Sequence, residues 1–466
     1  MNRFRPLAVL ALALGLLLSG ALAPARAQDT GSADFSRFVA VGDSLGAGFV
    51  SGGLVRGAQD DSVPALVALQ ATGQTISQPL VSEPGIPPLL QLQNLSPLVV
   101  APLPGLGSPV APPPYQNLSV PGFRIGDALR NLRRGPTDLA TFILAAQTPT
   151  TQIQHALAQN PTFALVWLGN NDVLAAATSG RVIEGITLTP VAQFQADLTA
   201  IVGALQAAGA DVALANLPDV TSIPYVTTIP PVLVDPVTQQ PILGPGGQPI
   251  AILGPDDEPL APNDFVLLPA SAALAQGIGV PDFAGGTNVG LPDELVLSAA
   301  EAAAIQDRVN AFNGIIRTTA TQTGSSLADI NGLLRQANAG GFNIGGITFT
   351  ADYITGGSFS LDGVHPSPLG YAVAANEFIR SINATYDADI PPVDLFPFVF
   401  GDDASAIPSI PGAVVGNVVF SGAAAQQLLD VLRVDQGSGR DLGGRAPRGP
   451  RGGRTGDRPG PRPPGR

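Results

Sequence analysis

The sequence predicts an α/β fold built on a parallel sheet with helices on both faces. Two observations lead there. Short apolar runs alternate with helical stretches along most of the chain, and those runs are apolar through their length, as strands covered on both faces must be.

The elements follow in order. RFVAVGDS (37–44) reads as a first strand ending in a Gly-containing turn, and NLSVPG (117–122) as a second strand-like piece. Helical stretches are expected over FRIGDALRNLRR (123–134), TDLATFILAAQ (137–147) and TTQIQHALAQ (150–159), before a strand in TFALVWLGNND (162–172). The helix PVAQFQADLTAIVGALQAAG (190–209) leads into the strand ADVALANLPDV (210–220). A second long helix (297–324) leads into SSLADING (325–332), and SPLGYAVAANEFIRSINATY (367–386) is the last helix. Two insertions break the pattern. Residues 83–114 are rich in proline and aliphatics, and residues 221–270 carry repeated Pro/Gly turns that read as one or two β-hairpins projecting from the sheet. Loops this long inside a compact domain are usually functional or disordered.

The ends of the chain differ from its body. Residues 1–27 have two early arginines, a Leu/Ala-rich run and Ala25-Arg26-Ala27, the pattern of a secretory signal peptide, with an uncleaved membrane anchor as the alternative. The chain is therefore expected to be exported, to a periplasm or out of the cell, with no membrane-spanning segment after cleavage. Residues 28–395 are read as one domain holding both insertions. Residues 396–434 are an apolar appendage ending in the helical piece AAAQQLLDVLRV, and residues 435–466 an Arg/Gly/Pro-rich tail too poor in apolar side chains to order itself. From Arg440 onward eight arginines stand against two aspartates, whereas the whole chain has a net charge of −13, so the body is acidic and the tail basic. The tail is expected either to be a solubilising end without a partner or to contact anionic surfaces such as acidic glycans or lipid headgroups. Export and the scarcity of aromatics argue against nucleic acid. The absence of cysteine excludes disulfides, thiolate metal sites and thioether lipid anchors.

The chemistry begins at VGDSLGAGF (41–49). Ser44 is a weak nucleophile near neutral pH without a base in hydrogen-bond reach, and the chain has two histidines. His155 lies in a helical context with no acidic neighbour and reads as a helix-surface residue. His365 lies in SLDGVHPS, three residues after Asp362, so the carboxylate can accept from one ring nitrogen and leave the other free to take a proton; capping of the following helix is the competing role. In an open parallel sheet the loops after the strands gather on one edge. Ser44, Gly122, Asn171 and the Asp362–His365 loop, each following a strand, are thereby expected on one rim.

These segments resemble the four blocks of the SGNH (GDSL) hydrolases: VGDSLGAG the GDSL block, NLSVPG the second block with its glycine, WLGNND the G-x-N-D block and DGVHP the D-x-x-H block. They stand in the family's order over roughly residues 37–386. The resemblance implies a three-layer α/β/α, flavodoxin-like fold and a serine esterase or lipase without metal or other cofactor. It assigns Ser44 as nucleophile, His365 as general base and Asp362 as the acid that orients it, with oxyanion donors from the N–H groups of Ser44 and Gly122 and the side chain of Asn171. The residue types suit these roles, since glycine lets backbone approach a substrate oxygen and an Asn amide donates without titrating. GDSLG also satisfies the G-x-S-x-G elbow of α/β-hydrolases, but Ser44 stands too early in the chain and its acid too close to the histidine for that fold.

A neutral imidazole is required, so activity is expected to fall as pH drops through about 6 to 7. The competing class is an inactive SGNH surface-binding module, disfavoured because both Ser44 and His365 are present. Asp43 and Asp172 are assigned to helix-start and loop hydrogen bonds over a glycosidase pair, and Trp167 to the core. The substrate is expected to be a small-molecule or lipid acyl ester, since the insertions are aliphatic and aromatic residues make up only 5% of the chain; sugar O-acetyl groups are the alternative. Whether the insertions form an acyl-binding wall or plain surface loops is left open by the sequence.

Overall fold

Four short runs with few polar side chains, Phe38–Gly42, Phe163–Trp167, Asp211–Ala215 and Ser326–Ala328, lie side by side in that order as a parallel sheet. The computed structural model describes residues 29–95, 98–130, 139–144, 150–235, 238–400 and 418–432. The expected signal segment 1–27, the tail 435–466 and parts of the stretches read as helical over 123–134 and 137–147 lie outside the described residues.

On the free side of Phe38–Gly42 runs the segment read as a second strand. It makes one parallel bridge, Asn117 to Ala40, with Leu118 N donating to Ala40 O and Val120 N to Gly42 O. It falls short of a regular strand because the Asn117 side chain accepts from Ser119 N at 3.1 Å, satisfying the backbone locally, and Pro121 has no N–H to give. Counting it, the second segment lies outside the first, and the third, fourth and fifth follow on the other side, which is the doubly wound, flavodoxin-like order.

The all-apolar strands are buried on both faces. Val39 and Val41 point into a core shared with the helices Val191–Ala207 and Ala299–Thr323, where the rings of Phe194 and Phe312 stack 3.8 Å apart. Phe38, Ala40 and Trp167 point the other way, against the helices Val63–Thr72 and Pro368–Tyr386. Trp167 is thus a core residue, 5.7 Å from the ring of Phe378. The result is three α/β/α layers. Helix starts are set by local side chains: Ser298 and Glu301 form a reciprocal capping box, and Ser367 caps the last helix by accepting from Gly370 N.

Three expectations change in detail. The strand in 162–172 ends at Trp167, because Gly169 takes a φ of +115° and Asn171 starts a helix, Asn171–Ser179. SSLADING holds only the strand Ser326–Ala328, after which Asp329 caps the helix Ile330–Ala339. Among the described residues, 221–270 form no hairpin of continuous strands projecting from the sheet. They hold a short helix, Pro224–Thr227, and isolated antiparallel bridges such as Val232 to Ala251 and Leu243 to Pro249, around a small core of Ile252, Leu260 and Val266. Their frequent prolines remove the donors that a continuous ladder needs.

The first insertion forms an antiparallel hairpin, Leu90–Leu95 with Leu98–Pro102. A strand from the far end of the chain, Val418–Phe420, lies parallel to its second arm, and the helix Gly422–Leu432 follows. Phe312→Ala should open a cavity between the two long helices and lower stability by about 3–5 kcal/mol, read as a lower denaturant midpoint with an unchanged m-value.

Candidate active site

Ser44 opens a four-residue helix, Ser44–Ala47, where the first strand ends. The turn is held from both sides. Asp43 caps it by accepting from Leu45 N at 3.0 Å, and its other oxygen accepts from the Asn170 side chain at 2.8 Å, tying the loop after the first strand to the loop after Phe163–Trp167. Gly48 closes the turn in the left-handed region. Gly42 and Gly46 are needed for a different reason, since a Cβ at either would come within 2.6 and 2.4 Å of Ser119 Oγ. That hydroxyl, buried under the turn, has no hydrogen-bond partner among the described residues.

His365 reaches the serine from the loop before the helix Pro368–Tyr386. Its Nε2 lies 2.9 Å from Ser44 Oγ, across 321 positions of sequence, and its Nδ1 lies 2.9 Å from Asp362 Oδ2. Asp362 is fully buried and also accepts from the backbone N–H groups of Gly52, Val364 and His365 at 2.8–2.9 Å. Burial pushes its carboxyl up, but the charge and hydrogen bond of His365 and the backbone donors together outweigh burial and hold it below the ordinary carboxylate value. The helix that follows is capped by Ser367, so the competing role of Asp362 and His365 as its caps is not what the structure shows. The Phe49 ring packs 4.8 Å from the imidazole, and Tyr371 Oη donates to Phe49 O at 2.6 Å.

Ser44, His365, Gly122 and Asn171 line one cavity of about 500 Å³. Gly122 has a φ of +83°, a conformation that a side chain would strain, which explains glycine at this point of the rim. The Asn171 side chain donates to Phe123 O at 3.0 Å, which fixes its amide plane and leaves its second N–H for another acceptor. The structure therefore brings four of the five sequence-named residues to one cavity, with Asp362 directly behind His365. His155 lies elsewhere, half-buried on the helix Gln152–Leu157 with its Nε2 2.6 Å from Thr150 Oγ1, and burial lowers its pKa. Among the described residues no cluster of His, Asp and Glu could hold a metal ion, and no helix is long and apolar enough to cross a membrane.

Several supporting residues escaped the sequence reading. Gln152 donates to both Gly42 O and Leu118 O at 2.8 Å, joining the first strand to the segment beside it. Ser51 N donates to Ser360 Oγ, and Gly52 N to Asp362, so the loop behind the nucleophile grips the histidine loop. Asn170 carried the one available signal, a polar side chain directly after a buried strand and a glycine. Asp43 and Asp172 serve the hydrogen-bonding roles expected of them, Asp172 accepting from Ile125 N at 2.8 Å. Burial raises Asp43 to about 6 and Asp172 to about 7.

The first insertion contributes Pro87 and Pro102 to the cavity wall, whereas the second lines no part of it. The sequence model of the GDSL-like Lipase/Acylhydrolase family matches residues 38–378. Among solved structures the chain is similar to TesA (12% identity, TM-score 0.30), to an extracellular lipase from Streptomyces rimosus (15%, 0.32) and to phospholipase A1 from Streptomyces albidoflavus NA297 (12%, 0.28). Each comparison covers 75% of this chain and 98% of the other. Likeness this distant carries no argument about substrate. No curated protein matches the chain.

Two outcomes follow for the site. Gly46→Ala should disrupt the serine turn and lower kcat, and Ser119→Ala in the same chain should recover most of the loss, because it removes the 2.4 Å contact without breaking a hydrogen bond; kinetics of the single and double variants check this. Asp172 has a folded pKa of about 7, above its unfolded value, so its contribution to stability is full below about pH 4 and is lost as pH rises through about 7. Relative to Asp172→Asn, which cannot titrate, the Tm of the natural protein should therefore decline between pH 5 and pH 8.

Proposed function

The chain belongs to the GDSL-like lipase/acylhydrolase family and is a carboxylic ester hydrolase, and from that premise we propose that it is an exported enzyme that cleaves lipid or other acyl esters through an acyl-enzyme on Ser44. The observation that carries the proposal is the chain of two 2.9 Å contacts from Ser44 Oγ through the imidazole of His365 to Asp362.

Ser44 Oγ attacks the ester carbonyl while His365 Nε2 takes its proton. Asp362 accepts from Nδ1, which selects the tautomer with a free Nε2 and stabilises the imidazolium that forms. The carbonyl oxygen becomes negative and is held by N–H groups of Ser44 and Gly122 and by the Asn171 amide, which line the same cavity as the nucleophile. The imidazolium then protonates the departing alcohol. A water molecule, deprotonated by the same imidazole, attacks the acyl-enzyme and releases the acid and the serine.

The acyl side of the substrate follows from the walls. Phe49, Phe123, Leu139 and Leu174 line the cavity beside the reacting groups, together with Pro87 and Pro102 of the first insertion. Such walls favour an alkyl chain, while Gln426, Gln427 and Asp430 supply the polar part of the lining. Export is supported by the signal-like segment at residues 1–27.

A fluorophosphonate probe should label the natural protein and not Ser44→Ala. Asp362→Asn should lower kcat by about 10⁴ and Asn171→Ala by about 10²–10³. In a series of p-nitrophenyl esters octanoate should be preferred to acetate. Labelling that survived Ser44→Ala would overturn the nucleophile, and a preference for acetate would turn the substrate reading toward O-acetyl groups.

A further inference from the structure

Residues 396–434 take no part in the chemistry above, yet the end of this stretch stands against the reacting groups. Ala423, Gln427 and Val431 recur at every fourth position of the helix Gly422–Leu432 and line the same cavity as Ser44 and His365, joined there by Leu432. We propose that the strand and helix over Val418–Leu432 form a fixed wall of the catalytic cavity, and that Val431 and Leu432 on it set the length of acyl chain the enzyme accepts. The proposal rests on Ser44 being the nucleophile and adds to that reading the group that selects the substrate.

The wall is anchored along its whole length. Val418–Phe420 is a parallel strand on Leu98–Pro102, Phe420 is buried with its N–H donating to Ser271 Oγ at 3.1 Å, and Ser421 N donates to Val100 O at 2.9 Å. On the helix, Ala424 and Leu428 are fully buried in the main core. With that face held, the face carrying Gln427 and Val431 is fixed toward the cavity. Gln427 fastens it to the catalytic side, since its Nε2 donates to Pro88 O at 2.7 Å and Gly52 O at 3.3 Å. Gly52 is the residue whose own N–H donates to Asp362, so wall and catalytic carboxylate share one backbone link.

The chemistry of the occupant follows from what faces what. Val431 and Leu432 line the cavity together with Leu139, Leu174 and Phe123, and this apolar part of the lining adjoins the polar side chains of Gln426, Gln427 and Asp430. A linear acyl chain buries its methylenes against such a lining, and its length is limited by side chains that the helix cannot withdraw. An acetyl group on a polysaccharide leaves this lining unused, and its bulky neighbours meet the helix.

The test uses the full chain. Val431→Trp fills the acyl side, so the octanoate-to-acetate ratio of kcat/KM should fall by about tenfold or more. Val431→Ala enlarges it, so the preferred acyl length should move up by about two carbons or more, and this variant decides the matter if the tryptophan variant fails to fold. A small fluorophosphonate reports Ser44 independently in each protein. Variants that label normally yet keep the natural chain-length profile within about twofold would overturn the wall as selector. Failure of the natural protein to label would instead count against the nucleophile, which separates the two proposals.

Discussion

The carboxylate of Asp362 sits fully buried where the loop after the first strand meets the loop before the helix Pro368–Tyr386, and it accepts hydrogen bonds from three backbone N–H groups and one imidazole. A buried charge left without partners would cost several kcal/mol, so those four donors have to be where they are. Gly52 belongs to the segment just after the Ser44 turn, and Val364 and His365 to the loop before the helix Pro368–Tyr386. Satisfying one carboxylate therefore fixes the distance between two loops more than 300 residues apart, and the 2.9 Å contact between Ser44 and His365 is a consequence.

Three buried aspartates near this rim show how much depends on the donor set. Asp43 accepts from Leu45 N and the Asn170 side chain, and the Asp172 carboxylate from Ile125 N; burial wins at both, and their carboxyls are raised to about 6 and about 7. Asp362 is as deeply buried, yet its backbone donors and the adjacent imidazole turn the balance and keep it below its ordinary value. Of the three, this last carboxyl alone is held below its ordinary value, and it faces an imidazole. The other two are bracing groups: Asp43 holds the serine turn against Asn170, and Asp172 holds the segment after Gly122.

Much of this was legible in the sequence. With two histidines to choose from, and only His365 near an acid, the candidate base was found by elimination, and the strands before Ser44 and Asn171 were visible because buried parallel strands are apolar without interruption. What was hidden has physical reasons. The helix Val63–Thr72 is buried almost all round, so it shows no amphipathic period. The helix Ile330–Ala339 begins directly on the strand before it, with Asp329 as cap, and was absorbed into one element. The pairing of Val418–Phe420 with Leu98–Pro102 joins segments separated by the whole domain, and three apolar residues in a Gly/Pro-punctuated stretch carry no sign of their partner. The hydrogen bonds of Gln152 and Asn117 beneath Ser44 were invisible because each is a common polar residue whose role depends on burial alone.

The same hidden pairing explains why a three-layer fold needs the end of its chain. The hairpin of residues 90–102 leaves the edge of Leu98–Pro102 with unpaired backbone groups beside the catalytic rim, a poor ending for a sheet in an exposed position. Val418–Phe420 closes that edge, and in doing so delivers the helix Gly422–Leu432 to the cavity with its buried face already committed to the core. Protection of a sheet edge and enclosure of the cavity that holds Ser44 and His365 are thus one event. A change that weakens the strand pairing also loosens the wall, leaving it to the packing of Leu428, Val431 and Leu432 on the main core and to the Gln427 contacts with Pro88 and Gly52.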